Sequence, residues 1–346
     1  MDEHGYVMRL IDDFARDFTN YPRQLLHSIF IGGGTPSLFS PSAYALLFEG
    51  LQRYIQFPNE LEITLEANPG AVDSGRFSEY RALGINRLSV GVQSFQNQYL
   101  QKLGRVHDAK AAHVAIMLAK KAGFSRINID LMYGLPEQTV EHALEDLQQA
   151  IDCQTEHVSW YELTIEPNTI FYKRPPTQPA EDIYQDIELQ GRCLLASAGF
   201  QRYEISAYAK SGAYCQHNLN YWLFGDYFGI GAGAHGKLTM APQKVIRTAK
   251  LRQPTSYMQA TEWMAEEKHI EDAQDLIFEF MLNTSRLMQN IPMQRFTETT
   301  GLDLRYLLPG LQKAVKLGLV ELRPDAWQLT AKGQLFNNEL IQLFLK

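Results

Sequence analysis

The run INIDLMYGLP, residues 127–136, decides the architecture of this chain. Its first six residues form a nearly continuous apolar stretch, the pattern of a parallel strand covered on both faces rather than of a half-solvated one. Gly134 and Pro136 close the stretch, and Asp130 marks its polar end. Four further runs share the character: Ser28–Ile31, Leu61–Leu65, Arg87–Val92 and His157–Ile165, beside Arg126–Leu131 itself. Their starts lie 26 to 39 residues apart, the length of a βα unit. Amphipathic stretches between them, Pro41–Tyr54, Gly75–Leu83, Ala109–Ala122 and Thr139–Ile151, read as helices. The first opens with Ser40 as N-cap and Pro41 in the first turn.

A parallel barrel and a doubly wound sheet both satisfy this alternation. The strand ends favour the barrel. Gly32-Gly33-Gly34-Thr35, Glu66-Ala67-Asn68, Gln93-Ser94, Asp130, and Thr164 with Glu166 all fall where strands stop. In a (β/α) barrel each strand delivers a side chain to one shared mouth, whereas a doubly wound sheet concentrates its chemistry at one switch point.

The pattern changes after about residue 235. Helical stretches at Pro254–Glu267, Ala273–Leu287, Pro292–Thr299 and Leu304–Leu317 lead into LVELRPDAWQLT, two strands around Arg323-Pro324-Asp325, and a last helix over Gly333–Leu345. Helices, a hairpin wing and a closing helix make a winged-helix-like module. Residues 276–346 hold eight Lys/Arg against six Asp/Glu without a basic stripe, so a packing or lid domain is expected rather than nucleic-acid binding. The expected division is a barrel domain over 1–236, a linker or helical connection over 237–272, and the winged-helix-like domain over 273–346.

Across all 346 residues, 39 acidic side chains exceed 32 basic ones, a net charge of −7 that argues against a broad footprint on nucleic acid or an anionic membrane. No stretch of about 20 apolar residues is present, and MDEHGYVMRL lacks the basic and apolar regions of a secretory signal. A cytoplasmic location is the default. Cys153, Cys193 and Cys215 stand 40 and 22 residues apart, which fits no disulfide framework and no local zinc or iron–sulfur spacing.

Several residues stand out chemically. The glycine triplet lets backbone N–H groups approach a charged ligand, although it lacks the spacing of a dinucleotide or P-loop motif and also suits a tight strand–helix turn. Glu66, before the Asn68-Pro69-Gly70 turn, can accept hydrogen bonds from hydroxyl or ammonium groups, or can be a solvated strand-end acid. Gln93 and Arg105 pose the same choice. Asp130, between Ile129 and Leu131, needs a ligand or a partner such as Arg105. The segment YCQHNLNYWLFGDYFGIGAGAHG, residues 214–236, gathers His217, Asn218, Asn220, Tyr221 and Trp222, then Gly229, Gly231, Gly233 and His235. Imidazole beside aromatic faces suits haem iron and porphyrin, and equally a satisfied core histidine in an aromatic hairpin. Cys215 is a further ligand candidate or an inert buried thiol.

The segments IGGGTPSL, LEANPG, GINRLSVGVQSF, LGRVH, INIDLMYGLP, LTIEPNT, HNLNYW and GIGAGAHG occur in this order from about residue 29 to 236. Together they resemble the radical S-adenosylmethionine family of oxygen-independent coproporphyrinogen III oxidases and, within it, the haem chaperones of the HemW type, whose HNxxYW signature HNLNYW matches. The resemblance implies a partial (β/α)6 TIM-like barrel without its first strand, followed by the winged-helix-like domain. It implies a [4Fe–4S] cluster and S-adenosylmethionine at the barrel mouth, with Gly33, Gly34 and Thr35 on the methionyl end. Glu66, Gln93, Arg105, Asp130 and Thr164 fall at further S-adenosylmethionine positions. His217 becomes the haem-iron candidate, Tyr221 and Trp222 shape its pocket, and His235 lies near bound cofactor at the barrel end.

One departure is severe. The family's CxxxCxxC motif is absent, and the three cysteines fall in segments matching other parts of the family. Met1–Phe18 resembles the first barrel helix, which follows the motif. The expectation is therefore a chain that begins downstream of it, through truncation or natural loss, and that neither binds the cluster nor cleaves S-adenosylmethionine reductively. The implied function is haem binding and delivery to haem-dependent membrane proteins, without nucleic-acid binding or membrane insertion, by a monomer or homodimer. The alternative is oxidative decarboxylation of coproporphyrinogen III, which needs the cluster.

Overall fold

A computed structural model of the protein describes residues 2–23, 25–71, 74–167, 169–240, 244–270 and 272–345. Met1 of the expected first helix and Asn168 of the LTIEPNT segment lie outside the described residues. The chain forms two compact units. One comprises residues 1–26, 45–59 and 215–346, and opens with helix α1 (Glu3–Asn20); the other comprises 27–44 and 60–214.

The unit over 27–44 and 60–214 is built on a curled seven-stranded half-barrel sheet. Strands β1 (Ser28–Ile31), β2 (Glu62–Ala67), β3 (Arg87–Gln93), β4 (Arg126–Tyr133) and β5 (His157–Glu162) run parallel in that order. A hairpin of β6 (Gln201–Glu204) and β7 (Ala207–Ala209) completes it, with β7 antiparallel to β5. The helices are α2 (Pro41–Gln52), whose residues 41–44 belong to this unit, α3 (Ser74–Ala82), α4 (Asn97–Lys102), α5 (Ala109–Lys121), α6 (Val140–Asp152), α7 (Ile170–Lys173) and α8 (Glu181–Ser197).

Local chemistry explains these elements. Asp108 caps α5 by accepting from the Ala111 N–H at 2.8 Å, and α5 buries Ala112, Ala115, Ile116 and Ala119, an i, i+3, i+4, i+7 stripe of mostly small side chains. Asp146 on α6, 1% exposed, accepts from the Ser94 hydroxyl and the Phe95 N–H, both at 2.7 Å. That carboxylate joins α6 to the turn after β3. Strand β5 stops at Glu162, three residues short of the expected end at Ile165.

In the other unit, α1 is capped by Asp2 and buries Val7, Ile11, Asp13, Phe14 and Asp17. Helix α9 (Gln216–Trp222) precedes an antiparallel sheet of β8 (His235–Met240), β9 (Lys244–Lys250) and β10 (Met264–Ile270), with α10 (Pro254–Gln259) between β9 and β10. The helix expected over Pro254–Glu267 is thus shortened, because MAEEKHI takes the ladder offered by β9 and leaves its polar side chains exposed at the sheet edge. Below the sheet residues in sequence lie α11 (Ala273–Thr284), α12 (Met293–Thr300) and α13 (Leu308–Lys316), with a small sheet of β11 (Ile291–Pro292), β12 (Val320–Leu322) and β13 (Ala326–Leu329). The expected hairpin around Arg323–Asp325 is present. The last helix is broken at Phe336 into α14 (Ala331–Leu335) and α15 (Asn337–Gln342). Phe280, Phe296, Leu311 and Trp327 form the centre of this module's core, all fully buried.

A charged cluster fastens α1 inside its unit. Lys250 bonds to both Asp13 and Asp17, the latter at 2.8 Å, and all three side chains are buried. Asp13 also accepts from Tyr257 Oη at 2.6 Å, Trp263 Nε1 at 2.8 Å and the Gly231 N–H at 3.1 Å. No described helix is long and apolar enough to cross a membrane.

Candidate functional site

The mouth of the half-barrel begins at the glycine loop after β1. Gly33 and Gly34 adopt φ of +85° and +61°, which glycine reaches without the strain a side chain would bring. The Gly33 N–H donates to Glu66 Oε2 at 3.0 Å. A Cβ on Gly32 would lie 2.6 Å from the Phe30 ring and 3.0 Å from the Glu66 carboxylate, whereas nothing lies within 4 Å of one on Gly33 or Gly34. Glu66 therefore holds the loop from one side and open space lies on the other. Thr35, half-buried, precedes a short 3-10 turn over Pro36–Leu38.

Gln93 reaches the mouth through a strand irregularity. The β3–β4 register shifts between Val90 and Gln93, a bulge that re-aims the strand end. Gln93 sits at φ +69° with its side chain buried, and its Oε1 accepts from Tyr161 Oη at 2.8 Å. Left-handed non-glycine residues of this kind cost free energy and cluster at binding sites.

Asp130 is the most enclosed acid of the mouth. Its Oδ2 accepts from the Ser89 hydroxyl at 2.9 Å and its Oδ1 from Asn128 Nδ2 at 2.8 Å. Burial pushes its pKa up to about 6; the bonds from Ser89 and Asn128 and the Arg87 charge oppose that, and the Glu66 charge adds to it. Arg105, the partner suggested by sequence, makes no ion pair with Asp130 among the described residues; hydroxyl and amide donors on β3 and β4 satisfy the carboxylate instead. Arg105 is exposed in the turn after α4, and Thr164 is exposed two residues beyond β5.

Four residues of this site escape a motif search: Ser89, Asn128, His157 and Tyr161. Glu66, Ser89, Asn128 and His157 are successive register partners across β2, β3, β4 and β5, a polar row through an otherwise apolar sheet. The signal available was a polar residue at every second position, Arg87 and Ser89, Asn128 and Asp130, then His157, Ser159 and Tyr161.

The haem candidates lie on and after α9. His217 and Tyr221, one helical turn apart, meet edge to face with ring centres 4.8 Å apart, and Tyr221 lies 4.4 Å from Tyr227. Tyr227 Oη accepts from Arg247 at 3.2 Å. Burial pushes the Tyr221 hydroxyl up to about 12, so it stays a neutral donor. Trp222 turns toward the helical core of this unit, with the Arg286 guanidinium 4.3 Å over its ring. His235 opens β8 with its side chain exposed.

The residues present suit two of the three implied groups. Glu66 and Asp130 keep lone pairs for hydroxyl or ammonium donors beside a glycine loop without side chains, which fits S-adenosylmethionine. Tyr221 packs edge to face on His217 with Tyr227 against it, an aromatic surface that fits a porphyrin, and among the described residues the buried Trp222 Nε1 has no hydrogen-bond partner. The cysteines do not fit a cluster. Cys153 ends α6 with Sγ 3.6 Å from His113 Nδ1, Cys193 is exposed on α8, and Cys215 is buried before α9 in the other unit. Among the described residues no group of three His, Cys, Asp or Glu side chains is arranged for a metal ion.

Comparison with known proteins identifies the family and the fold. Residues 2–150 match the radical SAM superfamily and residues 272–336 the HemN C-terminal domain. The chain is 47% identical to the heme chaperone HemW of Haemophilus influenzae over 99% of its own length and 90% of that protein's. It is 46% identical to the heme chaperone HemW of Escherichia coli K12, over 98% and 89%. The solved structure of coproporphyrinogen III oxidase (HemN) from Escherichia coli shares the fold, with a TM-score of 0.78 at 21% identity over 99% of this chain and 84% of that one. The chain belongs to the HemW heme-chaperone family of radical S-adenosylmethionine proteins.

Proposed function

We propose that this protein is a haem chaperone that takes haem at α9 and holds S-adenosylmethionine at the mouth of its half-barrel. The observation that carries the haem assignment is the meeting of His217 and Tyr221 on one helix turn, with Tyr227 packed on Tyr221. Haem bound there would offer its iron an imidazole ligand and its ring the faces of Tyr221 and Tyr227. The Arg247 and Arg286 guanidinium groups, on Tyr227 and over Trp222, add positive charge to that aromatic cluster.

At the half-barrel mouth, Gly33, Gly34 and Thr35 would take the methionyl end of S-adenosylmethionine. Glu66 and Asp130 would accept from its ammonium or ribose hydroxyl groups, and Gln93, Arg105 and Thr164 would complete the rim. His235 remains a candidate contact to bound cofactor. Oxidation of coproporphyrinogen III would need an electron delivered through a four-iron cluster, and the described thiols do not fit one. Delivery to haem-dependent membrane proteins from a cytoplasmic location, by a monomer or a homodimer, belongs to the same proposal.

Titration with hemin, followed at the Soret band, tests it. The wild type should saturate at one haem per chain, and His217→Ala should lose the ligand-field shift while S-adenosylmethionine binding is kept. A variant whose spectra match the wild type overturns His217 as the ligand. A wild type with no saturable haem binding overturns the chaperone assignment.

A further inference from the structure

A hydrogen-bond chain leaves the half-barrel mouth at Asp130 and runs through the sheet. Asn128 uses every polar atom it has. Its two Nδ2 protons go to Asp130 Oδ1 and Ser89 Oγ, both at 2.8 Å. Its Oδ1 lies 2.6 Å from His157 Nδ1 and accepts from the Ser159 hydroxyl at 3.1 Å. An amide oxygen only accepts, so His157 Nδ1 carries the proton. His157 is completely buried, and burial, with the Arg87 and Arg126 charges, drives its pKa well down, so the ring is neutral. Its Nε2 must then accept, and the donor is Tyr203 Oη at 2.9 Å. Every link points the same way, from Tyr203 to His157 to Asn128 to Asp130, and bonds in series of one polarity strengthen each other.

We infer that His157 is a positioning residue for S-adenosylmethionine: by fixing the Asn128 amide it aims two donors, Asn128 and Ser89, at Asp130 and leaves the carboxylate in one orientation with lone pairs facing the mouth. This rests on the assignment of Asp130 to S-adenosylmethionine. Two groups of fixed polarity hold the amide against a flip, the Asp130 carboxylate at one end and the His157 Nδ1 proton at the other, whereas the Ser89 and Ser159 hydroxyls can donate or accept. Were Asn128 turned over, its Nδ2 would face the His157 Nδ1 proton and its Oδ1 would face the Asp130 carboxylate, so two bonds would become two repulsions. The charged or titratable groups that act on Asp130 are Glu66 on β2, Arg87 on β3 and Tyr161 on β5, with His157 reaching it through Asn128. None of the others reaches the Asn128 amide among the described hydrogen bonds.

Two measurements on the full chain test this. In ligand-free protein, the Asp130 carboxyl is titrated by carbon NMR. In the second, S-adenosylmethionine affinity is measured by calorimetry from pH 5 to 8. Wild type should bind with a plateau above neutral pH and weaken as Asp130 takes a proton. His157→Phe removes the Nδ1 donor and should weaken binding about tenfold, the worth of roughly one hydrogen bond. It should also raise the Asp130 midpoint by about one pH unit, since a carboxylate with fewer fixed donors holds its proton longer. His157→Gln, whose amide can donate to Asn128 Oδ1, should recover both. A His157→Phe protein that melts earlier but keeps the wild-type midpoint and affinity overturns the inference and leaves His157 a packing residue.

If His157→Phe does not fold, Tyr203→Phe removes only the terminal donor. It should move the Asp130 midpoint the same way by less, and an unmoved midpoint overturns the inference. Wild type that binds no S-adenosylmethionine overturns the proposed ligand. In that event the ligand-free titration still decides whether His157 controls Asp130.

Discussion

Gln93 and Tyr161 lock each other across the half-barrel mouth: the tyrosine hydroxyl donates at 2.8 Å to a glutamine whose own backbone is left-handed, at φ +69°. The bulge in β3 creates that backbone strain, and the Tyr161 bond is one of the contacts that hold it. Tyr161→Phe leaves the Gln93 oxygen buried without its donor, at a cost of about 1–3 kcal/mol. Urea denaturation should show the loss. S-adenosylmethionine binding should fall several-fold with it, and an unchanged affinity would remove Gln93 from the rim.

Asp130 carries a stability penalty that serves binding. Its folded pKa of about 6 lies above the ordinary 3.8, so the native state holds the proton more tightly than the unfolded chain. Stability conferred by that proton is complete below about pH 4 and is lost as pH rises through 6. Asp130→Asn should therefore stabilise the fold at pH 7–8 by roughly 1–3 kcal/mol, with the gain vanishing near pH 4. The same variant should lose S-adenosylmethionine. Denaturation curves at the two pH values, with calorimetry, check both halves.

Gly32 and Gly33 should separate cleanly. Gly33→Ala meets no neighbour and should cost about 1 kcal/mol through its positive φ alone. Gly32→Ala pushes into Phe30 and the Glu66 carboxylate, so it should cost S-adenosylmethionine affinity beyond any change in melting temperature. Equal effects of the two substitutions on affinity would show that Glu66 does not hold the loop.

Two lysine and arginine pairs in one unit set a scale for charge. Lys250→Met strands Asp13 and Asp17 inside the fold and should cost about 3–5 kcal/mol. Arg16→Ala breaks the pair with Glu262, whose side chains are 36% and 56% exposed, and should cost at most about 1 kcal/mol. Urea midpoints of the two variants give the comparison directly.

Much of the half-barrel was legible because its strands are written as apolar runs with a marked last residue. INIDLM is β4 almost entire, and the glycine triplet does follow β1. What escaped has physical reasons. The strand MAEEKHI carries four polar residues in a row, Glu266 to His269, because it lies at a sheet edge, so no apolar period announces it. Helix α8 and the β6–β7 hairpin follow the loop through Pro175, Pro176 and Pro179, where the alternation of strand and helix that guided the reading breaks. In the site, Glu66 and Gln93 stand at strand ends and Asp130 is a charge inside an apolar run, so all three were visible, while Asn128 lies inside β4 and His157 opens β5, where only the two-residue period betrays them. The Arg105 pairing failed because sequence shows a charge in need of a partner and not the uncharged donors one strand away.

The four donors that converge on Asp13 come from residues 218 to 250 positions further along the chain. These partners of α1 are therefore synthesised more than 200 residues after it, whereas Gly50 and Tyr54, against Ile11 and Phe14, follow it closely. At 5–20 residues per second, the Asp13 carboxylate waits roughly ten to fifty seconds for these donors. The unit over 27–44 and 60–214 is fully synthesised within that interval and can fold while Asp13 is still waiting. The completion of this buried cluster is thus set by the order of synthesis rather than by the stability of the finished fold.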